Sequence, residues 1–268
     1  MKISAFLIVF NEEKHIERCL KSIDGVVDEI ILIHDGECSD NSLKIAQKFN
    51  AKIYIREHRG MREFHQVFAI EQCGHEWILQ IDADEFLSRS LRNNLSKLIN
   101  NKDVDAYSFV WPIWDGDKYL TNEYPHKKIL FRKKNMYYFS FPGKDPGTYG
   151  NLIESKLVLE HQPTYNNYTL EKFRNKWKKW INVHAKFFYN KNYEHYNCNT
   201  EILDKFYESI KKQKKYAYPF LAPTWMLQSI LVSLIRHSYW KSIKTWKISF
   251  LQGLYGFYLC LYIWKYRK

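Results

Sequence analysis

Three carboxylates stand together at the end of an apolar run, where Trp77-Ile78-Leu79-Gln80-Ile81 passes directly into Asp82-Ala83-Asp84-Glu85. The run is too short for a helix and reads as a buried strand, whose end in an open α/β sheet borders the ligand crevice. Clustered acids repel one another unless something positive sits between them. A hard divalent cation held by carboxylate oxygens and a phosphate meets that need. The competing reading is a solvated turn in which Asp and Glu open the next helix and stabilise its dipole. Other acceptors fall at comparable points: Asn11 and Glu12 follow the apolar run 3–10, and Asp35 follows Glu29-Ile30-Ile31-Leu32-Ile33-His34. Such groups suit base and ribose donors and a metal on a diphosphate.

The elements that must position these residues are legible from periodicity. Residues 3–10, 29–34, 52–55 and 77–81 read as strands. Between them come a helix from about Glu12 carrying Ile16, Leu20 and Ile23, then helices carrying Leu43, Ala46 and Phe49, and Val67, Phe68 and Ile70, on their inner faces. Strand and helix alternate four times at short spacing, which predicts an α/β fold with a mostly parallel wound sheet flanked by helices. No Gly-x-Gly-x-x-Gly follows the first strand and no Gly-x-x-x-x-Gly-Lys-Ser/Thr occurs. Dinucleotide cofactors and P-loop hydrolysis are thereby disfavoured. A fifth strand from Ala106 runs into an aromatic loop in which Trp111, Trp114 and Tyr119 present flat faces suited to sugar rings or to a core. Asp115-Gly116-Asp117 marks Trp114 as the one beside an exposed turn, and hence as the acceptor contact.

At 268 residues and 46% hydrophobic content, the chain can fill a sizeable core. The five cysteines are scattered without a Cys-x-x-Cys pair, a pattern of neither a disulfide framework nor a zinc site, which predicts a reducing cytosol. The apolar start of the chain has no small-residue cleavage site and reads as a strand, not a signal peptide. The net charge of +12 is uneven: residues 1–100 carry 13 basic and 16 acidic side chains, residues 164–268 carry 19 and 5. The basic character belongs to the last third and predicts an anionic partner for it.

That third reads as helical. Phe173, Trp177, Trp180, His184 and Phe187 fall on one helical face; a second helix is predicted near 200–216; then come two uncharged apolar stretches, Pro219 to Ile235 and Ile248 to Trp264. Each is at or below the shortest length that spans a bilayer, and Lys241, Lys244, Lys247, Lys265, Arg267 and Lys268 flank them. An interfacial anchor on an anionic membrane surface fits this better than a spanning helix. The competing reading is an amphipathic subdomain packed on the catalytic core with its lysines solvated.

The order Val9-Phe10-Asn11-Glu12-Glu13, then Asp35-Gly36-x-x-Ser39-Asp40, then Trp77 to Glu85 resembles the family 2 glycosyltransferases of the GT-A fold, in particular the bacterial branch acting on lipopolysaccharide core and other surface glycans. Leu130-Phe131-Arg132-Lys133, Leu157 to His161 and Gly253-x-x-Gly256-Phe257 extend the resemblance along nearly the whole chain. It implies a catalytic domain over 1–163, with a donor half to residue 100 and an acceptor half beyond, followed by a C-terminal region over 164–268. It also implies that a sugar moves, with inversion, from a nucleotide-diphosphate donor such as a UDP-sugar to a glycan or lipid-linked acceptor at the inner face of the cell membrane. By position, Asp35 contacts the base, Asp82 the ribose or metal, and Asp84 is the main ligand of a Mn²⁺ or Mg²⁺ ion, with Asn11 and Glu12 at the donor. Where such sequences often carry Arg, this chain has Gln66, so Arg62 or Arg59 is expected on the diphosphate. A base must also lie near the acceptor hydroxyl. Asp145, in the loop Phe141-Pro142-Gly143-Lys144-Asp145-Pro146-Gly147, is the candidate and His126 the reserve; Asp-Pro-Gly is also an ordinary turn sequence.

The rival readings are a non-catalytic nucleic-acid- or lipid-binding protein using the basic third, a nucleotidyltransferase, and an inactive scaffold. No RNP1 motif, zinc spacing or helix-turn-helix pattern supports nucleic acid. Residues 10–18 lack the glycine-rich loop of a nucleotidyltransferase, and the intact Asp82 and Asp84 argue against a scaffold.

Overall fold

A computed structural model describes residues 1–137, 143, 145–187, 212 and 217–267. The chain divides into two compact units, one of Met1–Ser140 with Lys144–Tyr165 and the other of Phe141–Gly143 with Asn166–Lys268.

The first unit is built on an eight-stranded sheet. Its strands are β1 (Ile3–Val9), β2 (Glu29–Asp35), β3 (Lys52–Arg56), β4 (Trp77–Gln80), β5 (Glu85–Leu87), β6 (Ala106–Val110), β7 (His126–Arg132) and, after the small pair β8 (Met136–Tyr137) and β9 (Gly147–Thr148), β10 (Leu152–His161). The spatial order is β3-β2-β1-β4-β7-β6-β10-β5. β3, β2, β1 and β4 are mutually parallel, and β6 and β10 are parallel; β7 runs antiparallel between β4 and β6, and β5 antiparallel to β10. Ile30 to Ile33 of β2 are all buried because helices cover both faces, whereas β3, at the sheet edge, exposes Lys52 and Ile55.

The helices are α1 (Ile16–Ile23), α2 (Ser42–Gln47), α3 (Glu63–Gln72) and α4 (Arg89–Ile99). α1 buries Ile16, Cys19, Leu20 and Ile23 on one stripe, and α4 does the same with Leu91, Leu95 and Ile99 behind a Ser88 cap whose Oγ accepts the Leu91 N–H at 3.2 Å. α1 begins four residues later than its periodicity predicts. The amides of Glu12 and Glu13 are taken by Ser42 Oγ (2.7 Å) and an Asp40 carboxylate oxygen (3.0 Å), so residues 12–15 form a turn that ties β1 to the start of α2. α3 is different in kind: Glu63, His65 and Gln66 are buried along with Val67, Ala69 and Ile70, so its inward face is polar as well as apolar.

The second unit is helical. A short helix at Leu170–Lys172, a π-helical turn at Phe173–Trp177 and a helix at Lys178–Phe187 run on from one another. Phe173, Trp177, His184 and Phe187 are buried as expected, while Trp180 lies half-exposed with Lys176 Nζ 4.9 Å from its ring and Ile181 takes the inward place. The helix expected near 200–216 falls outside the described residues. Tyr218–Arg236 and Ile243–Tyr266 form an antiparallel helical hairpin, both longer than the apolar stretches that announced them. The first runs straight through Pro223 and is long and apolar enough, by length and composition, to cross a membrane. Its seam explains two glycines. A Cβ on Gly253 would come within 2.6 Å of Ile230 Cγ1, and one on Gly256 would collide with Ser229 Oγ and lie 2.9 Å from the Trp225 carbonyl oxygen.

Candidate active site

The sheet brings its chemistry to one edge. β4 ends at Gln80, and β7 begins at that same edge because it is antiparallel, Leu79 pairing with Leu130. That register places Lys127 level with Asp82. Lys127 Nζ donates to an Asp82 carboxylate oxygen at 2.7 Å and to Glu85 at 2.5 Å. Arg62, at the start of α3, donates through one terminal nitrogen to both Asp82 oxygens at 2.9 Å and through the other to Asp145 at 2.7 Å. Glu85 is fully buried and also accepts the Trp111 indole N–H (2.6 Å) and the Asp82 amide (3.0 Å). Every partner of Glu85 is a donor, which is the environment of an ionised carboxylate.

The charges shift as this geometry requires. Burial pushes the Asp82 carboxyl up, but Arg62 and Lys127 outweigh it and hold it well below the usual carboxylate range. Burial also pushes Asp84 up, against a larger combined pull from His161, and the net is downward. Glu85 moves the other way because burial wins over Lys127, while Asp82 and Asp84 add repulsion. Asp82, Asp84, Glu85 and Asp145, with the buried Glu63 3.9 Å from Arg62, have Arg62 and Lys127 as their neighbouring lysine and arginine cations, and a divalent ion would offset most of the excess negative charge.

Asp84 lies beside this cluster, its side chain 23% exposed. Its Oδ2 is 3.4 Å from Nε2 of the buried His161, whose ring stacks on Trp111 with centroids 4.2 Å apart. Two adjacent ligands of an octahedral ion at ~2.1 Å lie about 3 Å from each other, so Asp84 and His161 fit as a pair on one cation. The Asp82 oxygens are already occupied by Arg62 and Lys127. Among the described residues no set of three or more metal-binding side chains converges, so a cation here would take its other ligands from a bound phosphate and water.

The neighbouring strand ends shape a second part of the edge. Asp35 is nearly inaccessible and anchors the 58–60 loop: it accepts the amides of Arg59 (2.6 Å) and Gly60 (2.9 Å) and His65 Nε2 (2.8 Å). Burial raises its carboxyl, and these three donors bring it below its ordinary value. Gly36, at φ 101°, lets His58 approach to where a Cβ would stand 3.0 Å from its own. Asn11 adopts the left-handed region at φ 55°, which Asn tolerates, and its Oδ1 accepts the Ser39 amide at 2.9 Å. The half-exposed Phe10 ring lies 4.7 Å from that of His58, leaving a flat apolar surface beside Asp35.

The profile of the Glycosyl transferase family 2 matches residues 4–194. The chain belongs to this family. Over 106 residues it is 36% identical to an uncharacterised glycosyltransferase of Rickettsia conorii, a match covering 40% of this chain and 37% of the relative. Over 107 residues it is 33% identical to the lipopolysaccharide core biosynthesis glycosyltransferase LpsC of Rhizobium meliloti, covering 38% of this chain and 39% of the relative. The match thus spans little more than a third of these relatives. In fold, the chain is similar to S. aureus TarS 1–349 in complex with UDP-GlcNAc, at TM-score 0.50 and 13% identity over 95% of this chain and 90% of that one.

The residues singled out in the sequence do not all meet. Arg62, Asp82, Asp84 and Asp145 form one cluster; Asn11, Glu12 and Asp35 serve the adjacent loops, with Glu12 bonded to His15 at 2.9 Å. Arg59 points to Glu57 (2.8 Å) and His126 to Glu154 (3.5 Å). Trp114 packs edge-on against Tyr119, ring centroids 4.9 Å apart, beside the turn in which Asp115 Oδ1 accepts the amides of Asp117 and Lys118. Lys127, His65 and His161 were given no part in the site by the sequence, and Glu85 only that of the third clustered acid. Lys127 carries no local signal, since only sheet register sets it opposite Asp82; His65 stood beside Gln66 in the helix that was expected to supply a cation.

Proposed function

We propose that the chain transfers a sugar from a nucleotide-diphosphate donor, a UDP-sugar, to a glycan or lipid-linked acceptor with inversion at the anomeric carbon. The observation that carries this reading is the cluster at the end of β4, where Asp84 and His161 converge beside an Asp82 neutralised by Arg62 and Lys127. A divalent ion on Asp84 and His161 would supply charge neutralisation to the departing diphosphate. The UDP-GlcNAc complex of the TarS structure and the lipopolysaccharide role in the name of LpsC support the donor and acceptor classes.

The chain's own residues divide the remaining work. Phe10 and the loop anchored by Asp35 offer a face and an edge to the base. Arg62 is the cation within reach of a diphosphate, and in taking it up would release Asp145, which is half exposed. Asp145 then accepts the proton of the acceptor hydroxyl while that oxygen attacks the anomeric carbon opposite the leaving phosphate oxygen. One displacement, with one bond formed and one broken, inverts the configuration. Trp114 is the candidate stacking surface for the acceptor.

Calorimetry with UDP, GDP, ADP and CMP, with and without Mn²⁺, tests the site. UDP is expected to bind tightly only with metal, and Asp84→Ala to lose the metal-dependent part. Silence for every nucleotide, with the chain folded, would overturn the transferase reading.

A further inference from the structure

The helical hairpin of the second unit exposes what a water-soluble surface ordinarily covers. Of the apolar 18-residue window in Tyr218–Arg236, only 17% is buried within the protein. Near the turn that joins the two helices, Leu231, Ile235, Trp240, Ile243, Trp246 and Phe250 are all exposed, Ile243 to 74% and Trp240 to 61%. These residues are not needed to hold the helices together. The seam is filled by Gly253 and Gly256 against Ile230, Ser229 and Trp225, and the turn is fixed by Thr245, fully buried, whose Oγ1 donates to the carbonyls of Tyr239 and Ser242 at 2.7 Å. The tip is therefore a shaped, apolar protrusion.

Its charges point to the occupant. Arg236, Lys241, Lys244 and Lys247 surround the exposed apolar residues, and residues 217–267 contain no Asp or Glu. A second copy laid on this tip would bring cations against cations with no acid to meet them, which opposes self-association. An anionic lipid surface matches both features: the headgroups meet the lysines, and Trp240 and Trp246 suit the boundary between headgroup and acyl chain. Four cations at the turn also oppose carrying it through to the far side of a bilayer.

We propose that the hairpin tip, residues 231–250, inserts shallowly into an anionic membrane surface and holds the chain there. The inference is independent of the transferase reading, and its test uses neither donor nor acceptor. The full chain is floated with vesicles of phosphatidylcholine alone and of phosphatidylcholine mixed with phosphatidylglycerol, at low and high salt. Binding to the anionic vesicles, weakened by salt, is expected. Each neutralised lysine should lower partitioning roughly five-fold, so Lys244→Gln with Lys247→Gln lowers it about twenty-five-fold at low salt. Trp240→Ser with Ile243→Ser should abolish binding while circular dichroism keeps its helical signal. Equal binding to both vesicle types would overturn the proposal. So would a reversible dimer in sedimentation velocity that forms without lipid and is split by Trp240→Ser with Ile243→Ser, because the tip would then be a contact between copies.

Discussion

Replacing Lys127 by Met removes the cation from a carboxylate that has no solvent to turn to. The Glu85 side chain is fully buried and that of Lys127 is 11% exposed. Breaking a buried pair from one side costs about 3–5 kcal/mol, because a charge is left behind uncompensated. Glu85 keeps two other donors, the Trp111 indole and the Asp82 amide, and Asp82 keeps Arg62, so the low end applies, about 3 kcal/mol. Adding Glu85→Gln removes the stranded charge and should restore at least half of the loss, a coupling of at least ~1.5 kcal/mol in a double-mutant cycle. The pH dependence has a definite sign. Burial already raises the Glu85 carboxyl above its ordinary value, and losing Lys127 raises it further. A raised folded-state value means that proton uptake favours the folded chain. The deficit of Lys127→Met should therefore shrink on acidification and grow as pH rises through the folded-state value. Urea unfolding, with hydrogen exchange at the β4 amides to report on the first unit, measures all three quantities. A loss below about 1 kcal/mol, or additive effects of the two substitutions, would refute the argument that Lys127 neutralises Glu85.

Two further expectations concern parts far from the site. Gly256→Val should lower stability by about 1–3 kcal/mol, since the added Cβ meets the Trp225 carbonyl, a backbone group that cannot rotate away; an unchanged thermal midpoint of the helical signal would contradict the tight seam. Glu29 accepts Ser4 Oγ, Lys52 Nζ and the Gly74 amide, and although burial pushes its carboxyl up, these partners draw it down to about 2. Its contribution is present above the unfolded value and lost as pH falls toward about 2, an effect on the order of 1–2 kcal/mol, since water screens the exposed Lys52, that Glu29→Gln should flatten. A carboxyl titration by NMR with its midpoint near the ordinary glutamate value would show the carboxylate to be unheld.

The wound sheet was legible because its signals are local. Short apolar runs ending in turn-forming residues place β1 to β4, and the helical stripe of Ile16, Leu20 and Ile23 is the same in the sequence as in the packed helix. One miss is a choice between neighbours: Trp180 and Ile181 stand three and four residues beyond Trp177 on the same side of the helix, and packing puts Ile181 inward while His184 and Phe187 keep their expected places. The start of α1 moved because Ser42 and Asp40, distant in the chain, claim the amides of Glu12 and Glu13.

For the site, the sequence determined the acids: three carboxylates after a buried strand state a demand for positive charge without any fold in hand. Which cations answer it was decided by tertiary structure. Lys127 reaches Asp82 and Glu85 because β7 runs antiparallel to β4, His161 reaches Asp84 at the far end of β10, and Arg62, while holding Asp82, reaches Asp145 across 83 residues of chain. A strand's direction and register depend on the whole sheet, so no window of sequence contains them. Carboxylates advertise themselves by clustering, whereas their partners are single residues scattered along the chain until the sheet closes.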